Sequence, residues 1–243
     1  MKKYALVTGG SRGIGRAISI ALAADGYHVI INFRSNSDEA KHTLAEIESK
    51  GGVGELLPFD VSKPKEVEHV LGDWMKNNPE RHIEVLVNNA GITKDNLMVF
   101  MSDSDWESVM STNLDSFFYV TRILLKNMLV KKCGRIINMV SLSGQKGQPG
   151  QVNYAATKGA IIAATKSLAM EIGKKKVTVN AVAPGFIKTE MTASFDENEL
   201  KKIIPLNRFG EAEEVAAVVS FLASTKASYI SGETISVNGG MFS

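Results

Sequence analysis

Tyr154 and Lys158 stand four residues apart in a stretch that opens at Ser141. On a helix, residues i and i+4 share one face. A phenol with an ordinary pKa of about 10 exchanges its proton slowly at neutral pH. A neighbouring ammonium favours the phenolate. Lowering the phenol by roughly three units takes about 4 kcal/mol, at 1.36 kcal/mol per unit. One partly buried ammonium and a second positive charge supply that much, and the tyrosine then serves as a general acid or base. The alternative is a chance Tyr-x-x-x-Lys with a solvated lysine. The pair alone does not decide between them.

The surrounding elements bear on that choice. The apolar run 135–140 has strand length and composition. Ser141 falls at its carboxyl end, where open α/β sheets place their ligands. A Gly/Pro-rich loop through Gly144, Gly147, Pro149 and Gly150 follows. An Ala-rich helix then opens at about Asn153 and carries Tyr154 and Lys158. A hydroxyl, a phenol and an ammonium therefore converge.

Composition sets the frame. The chain has 243 residues, 44% of them hydrophobic, with a net charge of +2. That predicts a single α/β domain over 1–243 with a substantial core. The near-neutral balance argues against general nucleic-acid binding. No apolar run approaches the roughly 18 residues of a membrane span. The apolar part of the N-terminus is too short for a signal peptide. Cys133 is the only cysteine, which excludes an internal disulfide and suits a cytoplasmic protein. No cluster of metal-ligand type is present.

Read in order, the chain alternates strand and helix. A first strand at 4–8 leads into Gly9-Gly10-Ser11-Arg12-Gly13-Ile14-Gly15 and then a helix over 16–25. Strand, glycine turn and helix N-terminus form the setting for a pyrophosphate. The second strand, 29–33, ends in Arg34 rather than in the acid that binds a ribose 2′-hydroxyl. Arg34, with Arg12 reaching the same place, attracts a 2′-phosphate, which predicts NADP(H) over NAD(H). Asp60, after a third strand at 55–59, either accepts from an adenine amino group or caps a helix. Trp74 is read as core. A fourth strand, 84–88, ends in Asn88-Asn89-Ala90-Gly91, beside the crevice of a doubly wound sheet. One long helical region over 103–132 contains Asn113, either at a buried kink with a water or as a cap. A sixth strand covers 177–183, a lid about 186–205, a helix 211–223 and a last strand 233–237.

Together these residues resemble the short-chain dehydrogenase/reductase family along essentially the whole chain. The resemblance rests on Thr8-Gly9-x-x-x-Gly13-x-Gly15, Asp60-Val61, Asn88-Asn89-Ala90-Gly91, Asn113, Ser141, Tyr154-x-x-x-Lys158 and Pro184-Gly185. Within it the chain is most similar to the 3-oxoacyl-(acyl-carrier-protein) reductases, through 89–97, 150–158, 184–191 and 230–240. It implies a seven-stranded parallel Rossmann sheet in a three-layer sandwich. It implies NADPH-dependent reduction of a 3-oxoacyl-carrier thioester to the (3R)-3-hydroxy product. Tyr154 would donate the proton, Ser141 bind the carbonyl oxygen, Lys158 hold the nicotinamide ribose, and Asn113 keep a relay water. The oxidised nicotinamide would be the second positive charge. The cofactor contacts implied are Gly9, Ser11, Arg12, Gly13, Ile14, Gly15, Arg34, Asp60, Val61, Asn89, Ala90, Gly91, Tyr154, Lys158, Pro184, Gly185, Ile187 and Thr189.

The resemblance further implies a homotetramer and docking of an acidic carrier near the entrance, at Lys132 and Lys175. These are lysines where the family has arginines, which keeps the charge and loses the bidentate geometry. The loop after Ser141 is more polar than is usual in the family. Ser143, Gln145 and Gln148 either address a polar or conjugated acyl chain or are solvated. The competing functions are a dehydrogenase of a small free alcohol, sugar or steroid, and a nucleotide-binding regulator without catalysis.

Overall fold

The computed structural model describes residues 3–242. Its strands are β1 (Lys3–Val7), β2 (Tyr27–Phe33), β3 (Val53–Pro58), β4 (Ile83–Asn88), β5 (Gly134–Met139), β6 (Val177–Pro184) and β7 (Thr234–Val237). They form one parallel sheet in the order β3-β2-β1-β4-β5-β6-β7. The order reverses between β1 and β4, so a crevice opens beyond their carboxyl ends.

The helices are α1 (Gly13–Ala24), α2 (Ser37–Ser49), α3 (Pro64–Asn77), α4 (Asp103–Val109), α5 (Ser116–Lys131), α6 (Leu142–Lys146), α7 (Val152–Ile172), α8 (Glu197–Leu200) and α9 (Ala212–Ala223). Alternation along the strands sends side chains to both faces of the sheet. Ala5, Val7, Val29, Ile31, Val85 and Val87 pack with Ile18 and Leu22 of α1 and Val215 and Val219 of α9. Leu6, Ile30, Leu86, Ile136 and Val179 pack with Leu71 of α3, Leu124 of α5 and Ile172 of α7. Both faces are covered, as a parallel sheet requires. Trp74 lies in that second cluster, and its Nε1 donates to Glu55 Oε1 at 2.9 Å.

Strand and helix boundaries shift from expectation by a few residues at most, apart from three places. The long helix over 103–132 is two α-helices joined by a π-helical turn, Met110–Asp115, and Asn113 lies in that turn. The loop after Ser141 begins as a five-residue helix, α6, capped by the Ser141 side chain, which accepts from Ser143 N. The lid is a string of short helical turns, Glu190–Thr192, α8 and Lys201–Ile203.

The carrier-docking expectation needs correction. Lys132 ends α5 in a left-handed conformation and Lys175 lies in the turn after α7. Both immediately precede strands, β5 and β6, so they stand at the amino rim of the sheet. The entrance is at the carboxyl rim. One eight-residue strand, about 3.3 Å per residue, separates the two rims. Within one protomer these lysines do not flank the entrance.

Candidate active site

The glycine turn and the Asn88–Gly91 turn are bound to each other. Thr8 Oγ1 donates to Val87 O and accepts from Asn89 N at 2.9 Å and Ala90 N at 3.0 Å. Asn89 Nδ2 donates to Thr8 O and Gly9 O. Asn32, buried at the end of β2, accepts from Gly9 N and donates to Leu57 O and Phe59 O. Four strand ends are thus tied by side chains that the sequence presents only as polar residues closing apolar runs.

The cradle leaves no room for substituents. A Cβ on Gly15 would stand 2.2 Å from Gly9 O. Gly9 and Gly13 have φ of 61° and 52°, which favour glycine. The first turn of α1 contains no acid and its N-cap, Arg12, makes no side-chain cap. Its N–H groups are therefore left to an anion. Thr189 of the lid lies over Gly13, with its methyl carbon 3.5 Å from where a Cβ would be. Arg34 is exposed at the end of β2, and among the described residues it has no acidic partner. These features fit a dinucleotide.

Several of the expected cofactor residues also have partners within the chain. Arg12 does not join Arg34; it turns to the lid and pairs with Glu190 at 3.6 Å. Asp60 accepts from Ser62 N and Oγ through one oxygen, so it caps the turn before α3. Val61 and Ile187 bury their side chains in the core, leaving only their backbones for a ligand. Ser11 directs its carbonyl to Arg16 and Thr43, and Ile14 packs on the core. Gly185 passes so close to Asn238 that a Cβ would lie 2.9 Å from its backbone. It follows Pro184 on the same rim.

The reactive group assembles next to this cradle. Lys158 is buried and its Nζ donates to Met139 O at 2.8 Å, on the strand that delivers Ser141. Its ammonium lies 5.5 Å from the centre of the Tyr154 ring. The Ser141 hydroxyl stands near enough to the Tyr154 hydroxyl to favour its ionised form. Asn113, 2% exposed, accepts from Ile92 N at 2.8 Å and donates to Ile92 O and Thr157 Oγ1. The π turn thus fastens the segment after Gly91 to α7. Between α5 and α7 runs a buried polar link: Asn88 Nδ2 donates to Thr121 Oγ1 and Asn138 Oδ1, and Asn138 Nδ2 donates to Thr165 Oγ1.

Within the chain itself, burial opposes the lowering expected of Tyr154 from two positive charges. Burial pushes its hydroxyl up to about 12, Ser141 pulls it down and Asp95 pushes it up. Part of the side chain's surface still opens to the cleft, but the hydroxyl itself is enclosed. Lys158 is lowered to about 8 by burial. The cause is common to both: desolvation disfavours each charged form and outweighs their mutual attraction.

The polar residues after Ser141 are held internally. Ser143 Oγ donates to Gln151 Oε1 at 2.7 Å, and Gln145 Oε1 accepts from Ser236 Oγ at 3.3 Å. Gln148 is exposed. Asp95 and Gln151 escaped the sequence reading, although both stand inside its matching stretches.

A family model described as enoyl-(acyl carrier protein) reductase matches residues 9–242. The chain is 44% identical to the 3-oxoacyl-(acyl-carrier-protein) reductase FabG of Staphylococcus epidermidis, over 100% of both chains. It is 45% identical to the 3-oxoacyl-(acyl-carrier-protein) reductase of Synechocystis, over 98% of this chain and 96% of the other. It is 44% identical to the Salmonella typhimurium FabG, over 99% and 97%. Among solved structures, a putative gluconate dehydrogenase from Agrobacterium tumefaciens superposes with a TM-score of 0.93 at 31% identity, covering 98% of this chain and 95% of that one. Among the described residues no helix is long and apolar enough to cross a membrane.

Proposed function

Because the chain belongs to the short-chain dehydrogenase/reductase family, we propose that it reduces a 3-oxoacyl-(acyl-carrier-protein) thioester to the (3R)-3-hydroxyacyl product with NADPH. The reading is carried by one observation: Ser141 and the buried Lys158 ammonium gather about Tyr154 at the carboxyl rim, next to the glycine cradle. Full-length relatives at 44% identity that are named for this reaction support it.

The bound cofactor supplies the hydride for the C3 carbonyl carbon. Ser141 donates to the carbonyl oxygen and orients it. Tyr154, protonated throughout the neutral range, transfers its hydroxyl proton to that oxygen as negative charge develops there. A phenolate then remains at Tyr154, stabilised by the Lys158 ammonium. Lys158, whose Nζ donates to Met139 O, would also hold the cofactor ribose. Asn113, through the carbonyl freed by the π turn, holds the water that returns a proton. Arg34 selects the 2′-phosphate, in keeping with NADPH over NADH.

Carrier docking fits an assembly better than a lone protomer. Phe118 and Val130 of α5 and Met170 of α7 are 53%, 73% and 87% exposed. If α5 and α7 pair antiparallel with a second copy, the partner subunit's Lys132 and the partner subunit's Lys175 come to this protomer's catalytic rim. A homotetramer built on this pairing would therefore receive the acidic carrier across its interface.

The second reading, a dehydrogenase of a small free alcohol or sugar, is favoured by the gluconate dehydrogenase likeness but at lower identity. Oxidation of NADPH on an acetoacetyl-carrier substrate, with NADH and a carrier-free thioester in parallel, separates the two. Turnover is expected with NADPH, and more strongly with the carrier. Activity confined to free carbonyl compounds would favour the second reading. NADPH binding without turnover on any substrate would instead favour the regulator.

A further inference from the structure

The mechanism above uses one of two oxygens on a 3-oxoacyl thioester. The other, on C1, lies two carbons from the reacting centre. Three side chains beside Ser141 and Tyr154 have no part in that mechanism. Gln151 Nε2 donates to Asp95 Oδ2 at 2.7 Å, and Gln151 Oε1 accepts from Ser143 Oγ at 2.7 Å. Ser143 N in turn donates to Ser141 Oγ at 3.2 Å. Gln151 is the N-cap of α7 and stands three residues before Tyr154, on the same helical face. Through its bond to Gln151 the Asp95 carboxylate is held beside the first turn of α7, near Tyr154.

A glutamine amide has two N–H donors and one carbonyl. A carboxylate only accepts, so Asp95 fixes which end of the Gln151 amide donates. Ser143 takes the carbonyl. One N–H remains, and among the described residues no protein acceptor takes it. The arrangement is not required to fasten the 92–97 segment to α7. Asn96 N donating to Gly150 O at 2.8 Å and Asn153 Nδ2 donating to Lys94 O at 3.0 Å already do that.

We infer that Gln151, oriented by Asp95 and Ser143, donates its second N–H to the C1 thioester carbonyl of the substrate and so selects 1,3-dicarbonyl compounds over simple ketones. The inference rests on the 3-oxoacyl reading. Ser141 and Tyr154 engage the C3 oxygen while Gln151 engages the C1 oxygen, which sets the rotation about the C2–C3 bond. Asp95 and Ser143 are positioning residues that act through Gln151.

The test compares two substrates: the acetoacetyl thioester of N-acetylcysteamine, and its analogue with the C1 carbonyl replaced by methylene. The readout is the ratio of kcat/KM on the first to kcat/KM on the second. Gln151→Ala is expected to lower that ratio fivefold to roughly tenfold, the worth of one hydrogen bond made to the reacting substrate. Asp95→Ala should move it the same way by less. A fall smaller than fivefold for Gln151→Ala, with both substrates losing activity together, would overturn the inference. If Gln151→Ala does not fold, Ser143→Ala releases the same amide, and an unmoved ratio there overturns it equally. Failure of the 3-oxoacyl reading looks different, since the unaltered enzyme would then not reduce the thioester at all.

Discussion

The cofactor cradle and the lid face each other across the same cleft and are built by opposite means. The cradle is held by side chains that reach between strands: Thr8, Asn32 and Asn89 tie β1, β2, β3 and β4 through buried hydrogen bonds. The lid is held by short-range caps and surface pairs. Thr189 and Thr192 cap each other, Asp196 caps α8, and Lys188–Glu211 and Arg208–Glu214 lie in solvent. Ile187 and Ile204 anchor it in the core, but Phe195 at 41% and Ile203 at 60% exposure are only partly covered. Exposed ion pairs contribute little each, whereas buried bonded groups are costly to break. The contrast teaches that long-range side-chain bonds between strands fix the cradle, whereas the 186–205 segment is held by local caps and exposed ion pairs.

Tyr154→Phe separates chemistry from both regions. It should lower kcat by about a thousandfold or more, within the range of a lost general acid, while NADPH affinity by fluorescence titration stays within about threefold. Loss of binding would mean that Tyr154 shapes the cleft. Gly15→Ala strikes the cradle, because its Cβ would stand 2.2 Å from Gly9 O. NADPH affinity should fall about a hundredfold and the melting temperature should drop. Unaltered affinity would show that the cradle yields as readily as the lid.

Lys158→Met tests what the site costs the fold. The folded value of Lys158, near 8, lies below its ordinary 10.5. Between those two pH values the folded chain binds fewer protons than the unfolded one, so stability rises with pH across 8–10.5 and the full penalty stands below 8. The penalty is of order 3 kcal/mol at 1.36 kcal/mol per unit. Methionine removes it but leaves Met139 O without its donor. Denaturant midpoints at pH 7 should therefore rise by about 1–2 kcal/mol, with the gain shrinking toward pH 10.5. A variant less stable at pH 7 would contradict the burial account. Phe195→Ala, on the lid, should be mildest: its ring meets Phe186 edge-on at 5.9 Å. KM for the thioester should rise about threefold, with stability within about 0.5 kcal/mol.

Sequence pattern carried the sheet because buried parallel strands are written as apolar runs, as in Val29-Ile30-Ile31. The glycines and the Tyr154/Lys158 pair were legible for a similar reason: a short local spacing fixes their geometry. Partners distant in sequence were not. Nothing local to Asn138 announces Thr165 or Asn88, and nothing near Gln151 announces Asp95. The five-residue α6 is too short to show a period and contains Gly144. The opposing effect of burial on Tyr154 was not legible, because charge is visible in a sequence and desolvation is not. The rim on which Lys132 and Lys175 stand within one protomer was recoverable, since a residue just before a parallel strand must lie opposite the ligands.

The π turn at Met110–Asp115 has a genetic consequence. A wider turn is one residue more than the α-helical path between the same two ends requires. Deleting one codon there would let α4 and α5 join as a regular helix, with its outer face still in phase. The hydrogen-bonding arm that Asn113 extends to Ile92 would disappear with it. At this point in the chain a shorter gene would encode a more regular protein and a poorer enzyme. The surplus residue thus trades helical regularity for the reach of Asn113 to Ile92.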